Sequence, residues 1–232
     1  MEINKIYLMD CLEFLKQIKD DEVDLIIADY PFNCQDGRSN YKEFITETAN
    51  EFFRILKLDK PLIIINNPPN IFRTVKCYEK FYYRNGIVLL RKGALRPTYH
   101  FGFQHNYCIV FLKAEDGKAD IKKVWNGTKV NHDATFLTDV IEYQNGYRGM
   151  GEKWHPQAIP LDLTMKFIEL FSNDGDLVLD CFMGSGTSAI ASKKLNRNFI
   201  GCEINEEYFK MAQDRIRVVM GETKLSSFME EG

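Results

Sequence analysis

The 232-residue sequence predicts an α/β fold with a mostly parallel sheet that helices cover on both faces. Short apolar runs, typical of buried strands, alternate with segments of helical periodicity. This alternation occurs before about residue 112 and again after about residue 160, with a polar stretch between the two regions. The length suits a single compact α/β domain with an insertion.

The first region contains both kinds of element in turn. Asp10 is placed to cap a helix, and Glu13 follows three residues later, as in a capping box. The predicted elements are a strand at 6–8, a helix at 11–18, a strand at 24–28, a helix at 41–56, and strands at 62–65, 86–90 and 107–112.

The remainder of the chain divides into three parts. Residues 113–154 are polar, contain several glycines and have weak periodicity, so we expect an irregular insertion. Regular α/β structure then returns, while the polar residues 221–232 are expected to form a frayed tail. The predicted elements are a helix at 161–171, a strand at 177–180, a helix at 187–195, a strand at 199–201, and a helix from the cap Asn205 to about 219.

Composition excludes several classes of protein. Hydrophobic residues make up 45% and charged residues 27%, which is ordinary for a soluble globular protein. There is neither a membrane-length apolar run nor a signal-peptide pattern, so a cytoplasmic location is expected. The six cysteines form no C-x-x-C pair, and the four histidines have no metal-ligand spacing. We therefore predict no disulfide framework and no metal.

Charge gives only a local indication of a nucleic-acid partner. The net charge of −3 does not favour DNA, whose binding depends heavily on Lys and Arg contacts to phosphates. Residues 84–129 nevertheless carry nine cations and three carboxylates, a net charge of +6. A solvated surface explains this segment as well as a DNA contact does.

A glycine-containing loop, residues 180–187, lies between a predicted buried strand and a predicted helix. Glycines allow a tight turn and a close approach of backbone to a nucleotide. Glu203 ends the next predicted strand, where a carboxylate can meet the ribose hydroxyls of an adenosine. Because Gly184 and Gly186 also fit the looser dinucleotide pattern, the glycines alone leave open NAD, S-adenosylmethionine or an empty structural turn.

The tetrad Asp29, Tyr30, Pro31 and Phe32 follows the predicted buried strand directly. Ligands of open parallel sheets bind at the carboxyl ends of strands. The Asp29 carboxylate and the Tyr30 carbonyl are two acceptors for the hydrogens of a nucleobase amino group. They would direct its lone pair towards a methyl donor and stabilise the positive charge that develops on nitrogen. A turn-capping aspartate beside buried aromatics is the alternative.

Together these segments resemble the β-class DNA amino-methyltransferases, which methylate adenine N6 or cytosine N4. That family has a D/N/S-P-P-Y/F tetrad, a variable target-recognition region, an H-P-x-x-x-P segment and a D-P-F-x-G-S-G-T loop, in that order. The matching segments here are residues 29–32, the polar middle, His155 to Pro160, and residues 180–187, with further similarity at 7–15 and 197–208.

The resemblance implies a circularly permuted Rossmann-like sheet, dependent on S-adenosylmethionine, with helices on both faces and a small target-recognition insertion. Residues 1–112 would be the catalytic half, 113–154 the recognition insertion, and 155–220 the cofactor-binding half. Chain order disfavours a nicotinamide-dependent oxidoreductase, whose glycine turn normally lies near the start of its domain.

The resemblance also implies roles for individual residues. Asp29 would orient the target amino group, Tyr30 and Pro31 would shape the pocket, and Phe32 would stack on a flipped base. Independently of the resemblance, the basic side chains Arg91, Lys92 and Arg96 are candidates to position DNA. The residues expected around the cofactor are Asp10, Asp29, His155, Pro156, Asp180, Phe182, Gly184, Ser185, Gly186, Thr187 and Glu203.

Two positions depart from the family pattern. Tyr30 and Cys181 each stand where the family usually has proline. Tyr30 still supplies a carbonyl, so we expect an active enzyme rather than a non-catalytic DNA-binding protein. An Asp-first tetrad favours adenine N6, while cytosine N4 and an RNA substrate stay open. The expected partners are double-stranded DNA, a second copy of the chain in a homodimer, and a cognate restriction endonuclease.

Overall fold

The computed structural model describes residues 1–30, 41–92, 105–115, 139–144 and 159–221, which form an α/β fold around one sheet. Its strands are β1 (Lys5–Leu8), β2 (Leu25–Asp29), β3 (Pro61–Asn66), β4 (Tyr82–Lys92), β5 (His105–Leu112), β6 (Val140–Gln144), β7 (Leu177–Asp180) and β8 (Asn198–Glu203). Its helices are α1 (Cys11–Leu15), α2 (Tyr41–Ile55), α3 (Pro68–Val75), α4 (Leu161–Phe171), α5 (Thr187–Lys194) and α6 (Glu206–Met220).

The strand order is β1-β8-β7-β2-β3-β5-β4-β6, so the two late strands lie between the first two early ones. Strands β1, β8, β7, β2 and β3 are mutually parallel. Strand β5 is antiparallel to both of its neighbours, and β6 pairs in parallel with β4 at the outer edge. This interleaving is the permuted sheet expected from the resemblance. All the described strands except β5 run in one direction, so the carboxyl ends of seven strands lie at one edge.

Helices cover both faces of the sheet, as predicted. Successive strand residues point to opposite sides, so Ile26 packs with α1 and α2 in one buried cluster. Its neighbour Ile27 packs with Phe167 of α4 on the other face. A third cluster joins α5 and α6 to the outer part of the sheet through Ala189 and Ala212.

Most predicted elements are present, with three differences. Helix α1 ends at Leu15, although helical spacing continues to Ile18. Helix α3 was not predicted, because eight residues are too few for a clear apolar period. Its start nevertheless carries a local signal, since Asn67 caps Asn70 and prolines occupy the first helical positions.

The third difference concerns the middle of the chain. The expectation of irregular structure throughout 113–154 is wrong for 140–144, which form the edge strand β6. The side chains of β6 alternate between the two faces of the sheet. Ile141 and Tyr143 pack against the buried cluster that contains Phe167 of α4, whereas Val140 is exposed. A strand of five residues beside a polar segment is too short for its alternation to be distinctive. Most of the remaining middle and residues 222–232 lie outside the described part of the chain.

None of the helices in the described part of the chain combines the length and hydrophobicity that a membrane span requires. The cysteines placed there are free thiols, and most are buried. Among those same residues, no group of three or more histidine, cysteine, aspartate or glutamate side chains is arranged to hold a metal ion.

Candidate active site

The Asp29 tetrad and the glycine loop begin at adjacent strand ends. Strands β2 and β7 are paired in parallel, with Ile26 opposite Leu179. Asp29 therefore ends β2 beside Asp180, which ends β7. The two segments, about 150 residues apart in sequence, adjoin at the edge where open parallel sheets bind ligands.

Burial and neighbouring charge raise the pKa of both carboxyl groups. Burial raises the pKa of Asp29 from 3.8 to about 8, and repulsion from the Asp180 carboxylate adds to the rise. Burial likewise raises the pKa of Asp180 to about 6, with a smaller contribution from Glu203. Hydrogen bonds to Asp180 from the Ser188 hydroxyl and from the Phe182 N–H, the latter at 2.9 Å, oppose that rise.

Asp29 has an unused acceptor. Its Oδ1 atom is shielded from solvent and has no hydrogen-bond partner among the described residues. Leaving a buried carboxyl oxygen without a partner is unfavourable, and native structures usually retain such a group for a reason. This Oδ1 atom is therefore available to a ligand at the strand end.

The glycine loop is built as a nucleotide-binding turn. Gly184 and Gly186 have positive φ angles of 51° and 81°, which favour glycine. Among the described residues, a side chain at Gly184 would meet only the Phe182 carbonyl oxygen within 4 Å, at 3.9 Å, so this side of the backbone is open to a ligand. The Gly184 N–H donates to Glu203 Oε2 at 2.8 Å, and the Asn205 N–H donates to Oε1 at 2.8 Å. Glu203 therefore joins the loop to the start of α6.

Two predicted cofactor residues are held from the side of α6. The Arg215 guanidinium donates to the Ser185 carbonyl and, at 2.9 Å, to the Ser185 hydroxyl. It also lies 3.4 Å from the Thr187 hydroxyl. Ser185 and Thr187 thus fix the loop to α6. Sequence analysis missed Arg215 because an arginine on a surface-type helix carries no signal of a partner 30 residues away.

Asp10 lies at the far side of the same edge. It caps α1 by accepting hydrogen bonds from the Leu12 and Glu13 N–H groups at 2.9 and 3.4 Å. The preceding Met9 N–H donates to the Glu203 carbonyl at 3.1 Å, so Asp10 follows the strand next to Glu203. Five predicted residues lie outside the described part of the chain: Pro31, Phe32, Arg96, His155 and Pro156.

Arg91 and Lys92 point to opposite faces of β4. Lys92 forms an exposed ion pair with Glu142 at 2.7 Å. Arg91 is opposite Tyr143 in the register of β4 and β6. Burial raises the pKa of Tyr143, the Arg91 charge opposes that rise, and the Asp29 charge adds to it. Tyr143, which sequence analysis did not single out, therefore lies within electrostatic range of the tetrad.

The residues at this edge fit S-adenosylmethionine. The ligand carries a positive sulfonium, and Asp29, Asp180 and Glu203 place three carboxyl groups at the ends of three adjacent strands. An adenosine needs a close backbone approach and acceptors for its ribose hydroxyls, which Gly184 and Glu203 can provide.

Comparison with known proteins decides the family. The model of the DNA methylase family, of the N6/N4 type, matches residues 23–214. The chain belongs to this family. The match includes both strand ends described above and most of the sheet.

Relatives of this DNA methylase cover nearly all of its length. It is 31% identical to the type II methyltransferase M1.MboII of Moraxella bovis, over 91% of this chain and 96% of that protein. It is 29% identical to the DNA adenine methyltransferase YhdJ of Escherichia coli K12, over 90% and 81% respectively. The crystal structure of the M1.HpyAVI–SAM complex has a TM-score of 0.69 and 27% identity, covering 91% of this chain and 98% of that one.

Family membership confirms the central expectations from the sequence. The chain is a DNA methyltransferase that depends on S-adenosylmethionine and acts on amino groups. The nicotinamide-dependent and non-catalytic alternatives are not supported.

Proposed function

We propose that the chain methylates the N6 amino group of adenine in double-stranded DNA and that Asp29 is its catalytic residue. The observation that carries this proposal is the shielded, unpartnered Oδ1 of Asp29 beside the glycine loop. S-adenosylmethionine would supply an electrophilic methyl group. The chain's own residues then have to hold a nucleobase nitrogen and stabilise the charge that develops on it.

Asp29 provides that stabilisation in its ionised form. Its free oxygen accepts a hydrogen bond from the target amino group, and its negative charge favours the cationic nitrogen of the transition state. Without ligand the raised pKa keeps much of Asp29 protonated at neutral pH. A cationic ligand near Asp29 and Asp180 lowers both pKa values, because opposite charge favours the carboxylate form.

The cofactor would be held by the glycine loop and its neighbours. Gly184 and Phe182 would contact the cofactor, and Glu203 would accept hydrogen bonds from its ribose hydroxyls. Asp10 lies one strand further along the edge. Ser185 and Thr187 act indirectly, since their hydrogen bonds to Arg215 fix the loop.

Adenine is favoured over cytosine by the aspartate that opens the tetrad and by the relative named as a DNA adenine methyltransferase. The family description covers both amino groups, so cytosine N4 is the second candidate. Incubation with methyl-labelled S-adenosylmethionine and mixed-sequence duplex DNA, followed by nucleoside analysis, distinguishes N6-methyladenine from N4-methylcytosine.

The same assay tests Asp29. We expect Asp29→Asn to lower transfer by at least about 100-fold, the range for loss of one transition-state partner, and to bind S-adenosylmethionine in calorimetry. The matched control, Asp162→Asn, changes an exposed aspartate at the start of α4 and should keep full activity. The proposal would be contradicted if the wild type transferred no labelled methyl group to DNA, or if Asp29→Asn kept full turnover.

The functions of the three segments of the chain are also a proposal. Residues 1–112 and 155–220 would form the two halves of one catalytic domain, and 113–154 would read the DNA sequence before returning to the sheet through β6. A recognition segment this short favours a homodimer, which sedimentation would detect. The type II designation of the relatives supports a cognate restriction endonuclease.

A further inference from the structure

Tyr30, which stands where the family tetrad usually has proline, points its side chain into the protein. The side chain is 1% exposed, and its hydroxyl hydrogen-bonds the hydroxyl of Tyr78, which is 2% exposed. A buried hydroxyl without a hydrogen-bond partner is unfavourable. The bond to Tyr78 therefore fixes the position of the Tyr30 ring.

The Tyr30 ring also contacts the glycine loop. Its centroid lies 4.9 Å from that of Phe182, at an interplanar angle of 47°. Phe44 of α2 packs edge-on against both rings, at 6.2 Å from each. Three segments thus meet in one aromatic cluster, namely the end of β2, the first turn of α2 and the loop after β7.

We propose that the Tyr30 side chain is a positioning residue that ties the target-amino turn at Asp29 to the cofactor loop at Phe182. This inference rests on the proposed function, in which Asp29 contacts the target base and Phe182 contacts the cofactor. A proline would stiffen the turn by fixing its own φ. Here the backbone at residue 30 is held by the buried Tyr30 ring and its hydrogen bond to Tyr78. The same ring packs against Phe182 and so positions that side chain.

The consequence is that one side chain affects both ligands. A displacement of the Tyr30 carbonyl misaligns the target amino group, and shifts of about 1 Å cost on the order of 100-fold in rate. A displacement of Phe182 weakens the cofactor site. A residue that only fills core volume would lower stability without this paired effect.

Three variants distinguish the contribution of the Tyr30 ring from that of the hydrogen bond between the Tyr30 and Tyr78 hydroxyls. We expect Tyr30→Leu, which removes the ring contacts, to lower kcat by about 10- to 100-fold and to raise the Kd for S-adenosylmethionine several-fold. Tyr30→Phe and Tyr78→Phe each remove the same hydrogen bond and keep the rings. We expect both to lower kcat by a similar, smaller factor with little change in that Kd. The Tyr30 hydroxyl also has a hydrogen bond with Thr48. The double variant should therefore lose less than the sum of the two single losses, because the two hydroxyls share one hydrogen bond.

The control is Phe53→Leu, which breaks the ring pair of α2 with Phe81, at 5.2 Å, away from the strand ends. Thermal unfolding of every variant measures the general cost of a lost ring. The proposal is overturned if Tyr30→Leu binds S-adenosylmethionine with the wild-type Kd, or if it loses no more kcat than Phe53→Leu. Because the Kd is measured by calorimetry without DNA, the Tyr30 effect is decided even if the wild type transfers no methyl group to DNA, a result that would refute the proposed function instead.

Discussion

Replacing Asp29 by asparagine should stabilise the protein while removing its activity. Burial and the Asp180 carboxylate raise the pKa of Asp29 from 3.8 to about 8. The folded protein therefore holds a proton that the unfolded chain releases above about pH 4. Stability attributable to this group is greatest at low pH and is lost as pH rises from 3.8 to about 8. Asparagine has nearly the same shape as aspartate and does not ionise, so it avoids the cost of a buried negative charge.

The size of the effect follows from the two pKa values. Each pKa unit corresponds to about 1.4 kcal/mol, so the full difference gives a ceiling of about 6 kcal/mol above pH 8. Relaxation around the charge and ionisation shared with Asp180 reduce this value. We expect Asp29→Asn to exceed the wild type by about 2–4 kcal/mol in free energy of unfolding at pH 8, and by less than about 1 kcal/mol at pH 4.

Urea unfolding followed by circular dichroism, at pH 4, 6 and 8, measures this difference directly. Other titrating groups are common to both proteins and cancel in the comparison. Methyl transfer by the same preparations should be lost, so that the variant is more stable and inactive. A stability difference that stays constant with pH, or a variant less stable than the wild type at pH 8, would refute the assignment of a costly buried carboxylate.

Three other perturbations have defined outcomes. Gly201→Ala should destabilise the fold by at least about 2 kcal/mol in urea unfolding, since the new Cβ would lie 2.2 Å from the Asp180 carbonyl oxygen; wild-type stability would contradict this contact. Asp180→Asn removes the charge repulsion that raises the pKa of Asp29. The acid limb of the pH profile of kcat/KM, which reports the ionisation of Asp29, should therefore move to lower pH. An acid limb at the wild-type pH would contradict the electrostatic coupling of the two carboxyl groups. Arg91→Ala should reduce the salt slope of DNA binding by about one, whereas Lys92→Ala, which breaks an existing ion pair, should change it less; the reverse order would contradict the assignment.

Much of the fold was predictable because its signals are local. The buried strands at 25–28 and 62–65 are continuous apolar runs, and the caps Asp10 and Asn205 lie where short polar side chains precede helical periodicity. The glycine loop was predictable for the same reason, since positive φ angles at Gly184 and Gly186 require that residue type.

The missed features depend on partners distant in sequence. The Arg215 contacts with the loop bridge about 30 residues, and β6 is a strand because β4 offers it an unpaired edge. The side chain of Tyr30 was expected only to shape the pocket. Its burial against Phe182 follows from the packing of α2 over the sheet, which the tetrad alone does not specify.

The sequence by itself determined the elements, their order and the chemical groups at two strand ends, because periodicity, caps and glycine turns are properties of short segments. The order of motifs, through the resemblance to a family, further indicated that those ends adjoin. Only the tertiary structure decided how Asp29 is placed, shielded, lacking a hydrogen-bond partner on Oδ1 and close to Asp180. Its pKa is a product of desolvation and of a neighbouring charge about 150 residues away, and neither exists until the sheet has formed.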